Sequence, residues 1–192
     1  MAARPIEFDR EEALMTRAVD AFWCYGYEAL PTATLAEQMG VSKSSLYNTF
    51  GTKRELLLET IAAYVDAKAG AIREVAASPR LFQPLKALLL DIVEDNDNGR
   101  GCLLVNTSAE LGLHDVGVRQ LVHSGFQAIM DAFELLMIAG QRSGEFKRDL
   151  DSANMTLMLV TTIAGLRVLA KAGFEAHQLA PAVENLLATI AS

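Results

Sequence analysis

The sequence predicts an all-α protein of about nine helices, and three observations carry that prediction. Apolar residues recur at three- and four-residue intervals through nearly every segment, which is the spacing of one helix face. No segment combines sustained apolar–polar alternation with β-branched enrichment, so no strand is expected. Gly26, Gly40, Pro79, Gly112, Gly144 and Gly173 stand where periodic runs end.

The first helix rests on Leu14, Ala18, Ala21, Phe22 and Tyr25, with Gly26 just past its last turn. Pro31 suits the start of a second helix, which runs through Leu35, Ala36 and Met39 and breaks at Gly40. Ser42 is an oxygen-bearing cap for a third helix, Lys43 to Phe50. A long fourth helix begins near Lys53 and carries Leu57, Ile61, Tyr64, Lys68, Ile72 and Val75 on one face. Ser78-Pro79 stops it, because the residue before proline is pushed out of the α region. A fifth run spans Leu81 to Val93 and dies in the polar stretch 94–99. Four more helices are expected at about 102–112, 116–140, 150–172 and 176–191.

Composition bounds the rest. The chain has 192 residues, 51% of them apolar and 21% charged, with a mean hydropathy of +0.20. This excludes a disordered chain and leaves more apolar surface than one small core needs, so a subunit interface or an internal pocket is expected. Two cysteines, Cys24 and Cys102, exclude a disulfide framework. Cys24, between Trp23 and Tyr25, reads as core. The N-terminus lacks a signal-peptide pattern. The longest uncharged run, Ser152 to Leu166, is shorter than the roughly 20 apolar residues that cross a bilayer. A soluble, cytoplasmic protein with no membrane partner is expected.

Net charge is −7, which on its own argues against a polyanionic partner. The charge is segregated, however: from Gln38 to Arg54 the chain holds Lys43, Lys53 and Arg54 and no acid. The same window contains a helix, a short glycine-containing turn and a second helix, the helix-turn-helix plan. At 100° per residue Leu46 and Phe50 share an inward face of the second helix, while Ser44, Tyr47 and Asn48 lie on another, flanked by Ser45 and Thr49. Hydroxyls and amides of this kind bond phosphates, and an asparagine can read adenine in a major groove. An ordinary solvated helix face is the competing reading.

The stretch Gly26-Tyr27, Leu35-Ala36, Gly40-Val41-Ser42-Lys43-Ser44-Ser45-Leu46-Tyr47-Asn48-Thr49-Phe50, Lys53 and Leu56-Leu57 resembles the N-terminal signature of tetracycline-repressor-like (TetR-family) regulators. The resemblance covers about 50 residues. It implies a DNA-binding domain at 7–66 and a ligand-binding and dimerisation domain at 67–192. It further implies that Ser42, Lys43, Ser44, Ser45, Tyr47, Asn48 and Thr49 form the DNA-facing set and that Lys53 meets backbone phosphate. Where the family often has two hydroxyl residues at the entrance of the second helix, this chain has Leu30-Pro31-Thr32, so that either Thr32 or Thr34 takes the phosphate contact or the contact is missing.

The implied function is a ligand-responsive, homodimeric repressor that binds a palindromic double-stranded DNA operator and is released by a small-molecule effector, apolar or mixed in character. The expected dimer interface is Met155, Leu159, Thr162, Ile163 and Leu166 with Leu179, Val183 and Leu186; plain core packing is the other reading of these stripes. Phe82, Cys102, Asn106, Phe126, Met130 and Phe133 are the pocket candidates, with Arg100, Glu110, His114 and His123 as further polar anchors. Around Cys102 the sequence is similar to that of a subset of these regulators, including some that sense electrophiles or oxidants, although a small buried residue is the commoner case. No metal-ligand spacing, nucleophile motif or phosphate loop is present, so neither an enzyme, a metal nor a cofactor is expected. A helical ligand-binding protein that has lost its grip on DNA is the alternative.

Overall fold

A computed structural model describes residues 6–94 and 99–192. Among the described residues it contains α1 (Ile6–Tyr25), α2 (Thr32–Met39), α3 (Lys43–Phe50), α4 (Lys53–Ala76), α5 (Phe82–Glu94), α6 (Leu103–Leu111), α7 (Val116–Ser143), α8 (Ser152–Lys171) and α9 (Ala176–Ile190), and no named strand. Each helix lies within a few residues of its expected place.

The described residues pack as two units. One unit holds the residues up to Tyr64 together with Asn106–Gly125; the other holds Val65–Val105 and Phe126–Ser192. The chain therefore passes from one unit to the other inside α4, inside α6 and inside α7.

In the first unit Ala18, Ala21, Phe22 and Trp23 of α1 are buried with Leu35, Ala36 and Met39 of α2, Leu46 of α3 and Leu56, Leu57, Ile61 and Tyr64 of α4. Trp23 meets Tyr64 edge to face at 5.1 Å, and Phe22 stacks on Tyr27 at 6.2 Å, both favourable aromatic geometries. The expected face of α1 is buried at Ala18, Ala21 and Phe22, but Tyr25 at its end is exposed, and so is Cys24, which is not core.

In the second unit α5, α8 and α9 pack on one another. The α7–α8 loop fastens them. The Glu145 carboxylate accepts the Leu81 and Phe82 N–H groups at the start of α5, at 3.0 Å, and these bonds hold its pKa below the usual carboxylate value. The Lys147 ammonium donates to the Ala188 and Thr189 carbonyls at the end of α9, where the helix dipole favours a cation. Between them Phe146 is fully buried, and a Cβ on Gly140 would lie 2.0 Å from its ring. Glycine at 140 is therefore a packing requirement.

Two helices, α7 and α8, are long and apolar enough to cross a membrane by length and composition. In the fold α8 turns one face, with Met155, Leu159 and Leu166, into the core of its unit. It also carries a buried arginine, Arg167, which donates to the Gly101 carbonyl at 3.0 Å.

Candidate nucleic-acid interface

The turn between α2 and α3 sets the site. Gly40 adopts φ 71°, ψ 31°, a left-handed conformation that glycine takes without a Cβ penalty, and it ends α2. Arg17 of α1 donates to the Met39 carbonyl at 3.1 Å, beside this turn. Ser42 then caps α3: its Oγ accepts the Ser45 N–H at 3.1 Å and lies 3.0 Å from the hydroxyls of both Ser44 and Ser45. Those two hydroxyls are thus held at the helix entrance.

Leu46 is fully buried and roots α3, while Phe50, expected beside it, is half-buried. Ser42, Lys43, Ser44, Ser45, Tyr47, Asn48 and Thr49 are all exposed. Lys43 sits 6.0 Å from the centre of the Tyr47 ring, so a cation and an aromatic share the presented face. Thr32 and Thr34 are half-buried on α2, and Leu30 is fully buried. Leucine at 30 is accounted for by the core.

Lys53 donates to the Tyr27 carbonyl and lies 4.4 Å from the centre of the Tyr27 ring. Burial lowers its pKa from the usual lysine value, against the opposing pull of Glu28, Glu110 and Tyr47. Burial likewise raises the Tyr27 phenol, with Glu28 adding to it. Arg54 makes a bidentate pair with Asp115, Nε to Oδ2 at 2.6 Å and Nη2 to Oδ1 at 2.8 Å. Of the three cations in the basic window, one is thus paired with a carboxylate and one is engaged within the fold. Thr52 and Glu55 form a reciprocal cap at the start of α4, with Thr52 N–H to Glu55 Oε2 at 2.7 Å and Glu55 N–H to Thr52 Oγ1 at 3.1 Å. Thr-x-x-Glu is the sequence signature of that capping box.

The other expected sets are placed as follows. The carboxylate of Glu110 accepts the Tyr27 and Glu28 N–H groups at 3.0 and 2.7 Å. Phe133 is buried in the core of the second unit with Phe82 packed partly buried against it; Phe126 and Met130 are half-buried. Cys102 is half-buried just before α6, and Asn106 packs with the first unit. An open surface cleft of about 450 Å³ is lined by other residues, Ile138, Gln141, Arg142 and Arg148. His114 and His123 are exposed, and no cluster of metal-binding side chains occurs among the described residues.

Of the expected dimer stripes, Met155, Leu159, Leu166, Leu179, Val183 and Leu186 are buried within the single chain. Thr162 and Ile163 are half-buried. The apolar side chains that α8 and its following turn leave exposed are Leu157, Met158, Val168, Leu169 and Phe174.

Comparison with known proteins decides the assignment. The sequence profile of bacterial regulatory proteins of the tetR family matches residues 14–60, and that of the tetracyclin repressor-like C-terminal domain matches residues 77–186. The chain belongs to the TetR family. It is 26% identical to the uncharacterized HTH-type transcriptional regulator YezE of Bacillus subtilis, over 96% of this chain and 97% of that one. It is 24% identical to the HTH-type transcriptional repressor ComR of Escherichia coli, over 92% and 86% of the two chains. Among solved structures, a cysteine mutant of the TetR family regulator CifR, complexed with 26-bp double-strand operator DNA, superposes with a TM-score of 0.77 at 30% identity, covering 98% of this chain and 100% of that one. Reduced E. coli NemR gives a TM-score of 0.82 at 18% identity, covering 95% and 97%, which is a likeness of fold. As a TetR-family member the chain is a DNA-binding transcriptional regulator. Transcriptional regulation, not catalysis, is the activity to which the family points.

Proposed function

We propose that the chain acts in the cytoplasm as a homodimeric repressor whose paired α3 helices read a palindromic operator and whose body takes a small-molecule effector. The observation that carries the reading is the α3 surface: Leu46 is fully buried while Lys43, Ser44, Ser45, Tyr47, Asn48 and Thr49 are exposed around it. Such a face offers phosphate partners at its start and an amide for a base edge farther along. Lys53 and the threonines Thr32 and Thr34 are assigned to the flanking phosphates; Lys53 has three donors, and the Tyr27 carbonyl takes one of them.

One subunit presents few cations, and phosphate contacts supply much of the affinity of DNA binders. Two copies double the contacts. The exposed residues Leu157, Met158, Val168, Leu169 and Phe174 supply an apolar face for the second copy. For the effector, Phe82, Phe126, Met130 and Cys102 remain the proposed lining, an adaptable apolar set suited to an apolar or mixed ligand.

A selected duplex, bound at increasing salt, tests the reading. A steep log–log decline is expected, and Asn48→Ala should change which sequences are preferred while leaving the slope nearly unchanged. Salt-independent binding, or a preference unmoved by Asn48→Ala together with Ser44→Ala, overturns it.

A further inference from the structure

Two guanidinium groups line one cleft of the second unit, and among the described residues neither is paired with a carboxylate. The cleft has a volume of about 450 Å³, and its walls are Ile138, Gln141 and Arg142 near the end of α7 and Arg148 in the loop that follows. Sites for small molecules span about 300–1,000 Å³.

The loop holds these walls in place. The Gln141 amide donates to the Lys147 carbonyl at 3.1 Å and to the Leu150 carbonyl at 2.7 Å, so both its hydrogens are spent on fastening the loop to α7. Arg148 returns the tie, its Nε donating to the Gln141 carbonyl at 3.1 Å. That bond anchors the guanidinium at its base and leaves the donors on its two Nη nitrogens for another acceptor. Acceptors in the surrounding fold are already engaged. The Gly140 carbonyl receives the Gly144 and Phe146 N–H groups and the Ser143 hydroxyl. Glu145 is committed to the Leu81 and Phe82 N–H groups, and Asp151 caps α8 through the Asn154 N–H. Asp149, next to Arg148 in the chain, pairs with neither arginine. Like charges that share a cleft repel one another, and a cleft lined by one sign of charge concentrates ions of the other. In a chain of net charge −7 this is a local surplus of cations.

We propose that the cleft is a site for a small organic oxyanion, a phosphate monoester or a carboxylate, held between Arg142 and Arg148 with its apolar part against Ile138. The guanidinium fork matches the oxygen spacing of both head groups. None of these residues belongs to the proposed effector lining, and the site does not depend on DNA binding. Arg142 stands in the last turn of α7, and Arg148 in the loop whose Glu145 and Lys147 hold α5 and α9. An anion bridging the two arginines therefore adds a tie between α7 and that loop and stabilises the second unit.

Titration calorimetry on the whole protein, with chloride replaced by the probe at constant ionic strength, tests the proposal. The probes are inorganic phosphate, butyl phosphate, acetate and butyrate. Saturable binding of one anion per subunit is expected, with a melting temperature that rises with probe concentration. Saturation by the phosphate pair alone assigns the monoester, and saturation by the carboxylate pair alone assigns the carboxylate. The butyl member of the preferred pair should bind several-fold more tightly than the short one, and equal affinities overturn the role given to Ile138. Arg142→Ala and Arg148→Ala should each weaken binding about tenfold, the loss of a charge-assisted bond, and together should abolish it. Both side chains are exposed, so helix content should be retained. A parent protein that none of the four probes saturates overturns the proposal without any variant. Undiminished binding by the folded double variant places the anion elsewhere and overturns it as well.

Discussion

The ammonium of Lys53 donates to the Tyr27 carbonyl and rests 4.4 Å from the centre of that residue's ring, within cation–π range. One side chain therefore serves the fold and, by the proposed function, a phosphate. Lys53→Met keeps the stem and removes the charge. It should lower operator affinity and reduce the log–log salt slope by about one. An unchanged slope would restrict Lys53 to its role against Tyr27.

Asp115 gives the fold an acid-sensitive point. The hydrogen bond from Arg54 holds its carboxylate well below the ordinary aspartate value of 3.8, aided by the Val118 N–H. A group with a depressed folded-state pKa adds stability above its unfolded value and loses it as pH falls through the folded one. Glu55 and Glu145, both lowered chiefly by backbone N–H groups, act in the same direction. Melting temperature should therefore drop as pH falls below about 4, and Asp115→Asn should flatten that decline while lowering stability at neutral pH. A parallel decline in parent and variant would remove Asp115 from the account.

Gly140 and Phe146 test the body. A Cβ at 140 meets the Phe146 ring at 2.0 Å, so Gly140→Val should cost about 1–3 kcal/mol by overpacking. Phe146→Ala, which empties a fully buried site, should cost about 3–5 kcal/mol. Denaturant unfolding of the two variants measures both, and a cost below about 0.5 kcal/mol for either contradicts this packing.

The exposed and buried faces of α8 predict opposite outcomes. Leu157→Glu with Val168→Glu should leave a folded subunit that sediments as a monomer, because both positions are exposed in the single chain. Leu159→Ala, in the core, should instead lower stability by about 2–5 kcal/mol with the association state of the folded protein unchanged. Sedimentation and melting of the two proteins separate these outcomes, and a dimeric glutamate variant contradicts the assigned face.

Helix positions were legible in the sequence because spacing and punctuation are local: Gly40, Ser42 and Leu46 announce the turn, the cap and the root of α3 within seven residues. Which face of an evenly apolar helix turns inward is not local. On α8, Met155–Leu159–Leu166 and Leu157–Val168–Leu169 are equally apolar in composition, and only packing against α5 and α9 separates core from surface. The same limit explains Cys24 and Tyr25, which look like core in sequence and stand exposed at the end of α1. Long-range ties left no signal at all: Arg54 and Asp115 are 61 residues apart, and Tyr27 and Glu110 are 83 apart. Lys53 belonged to a recognisable basic window, yet its capture by Tyr27 follows from the third dimension alone.

The central claim is that two α3 surfaces read one duplex together. Duplexes selected from a random pool, followed by the mass of the complex in solution, measure this directly. Selected sites should be two-fold symmetric, with half-site centres a whole number of turns apart at about 10 bp per turn, and each should carry protein subunits in pairs. Asymmetric sites bound by a single subunit would contradict it.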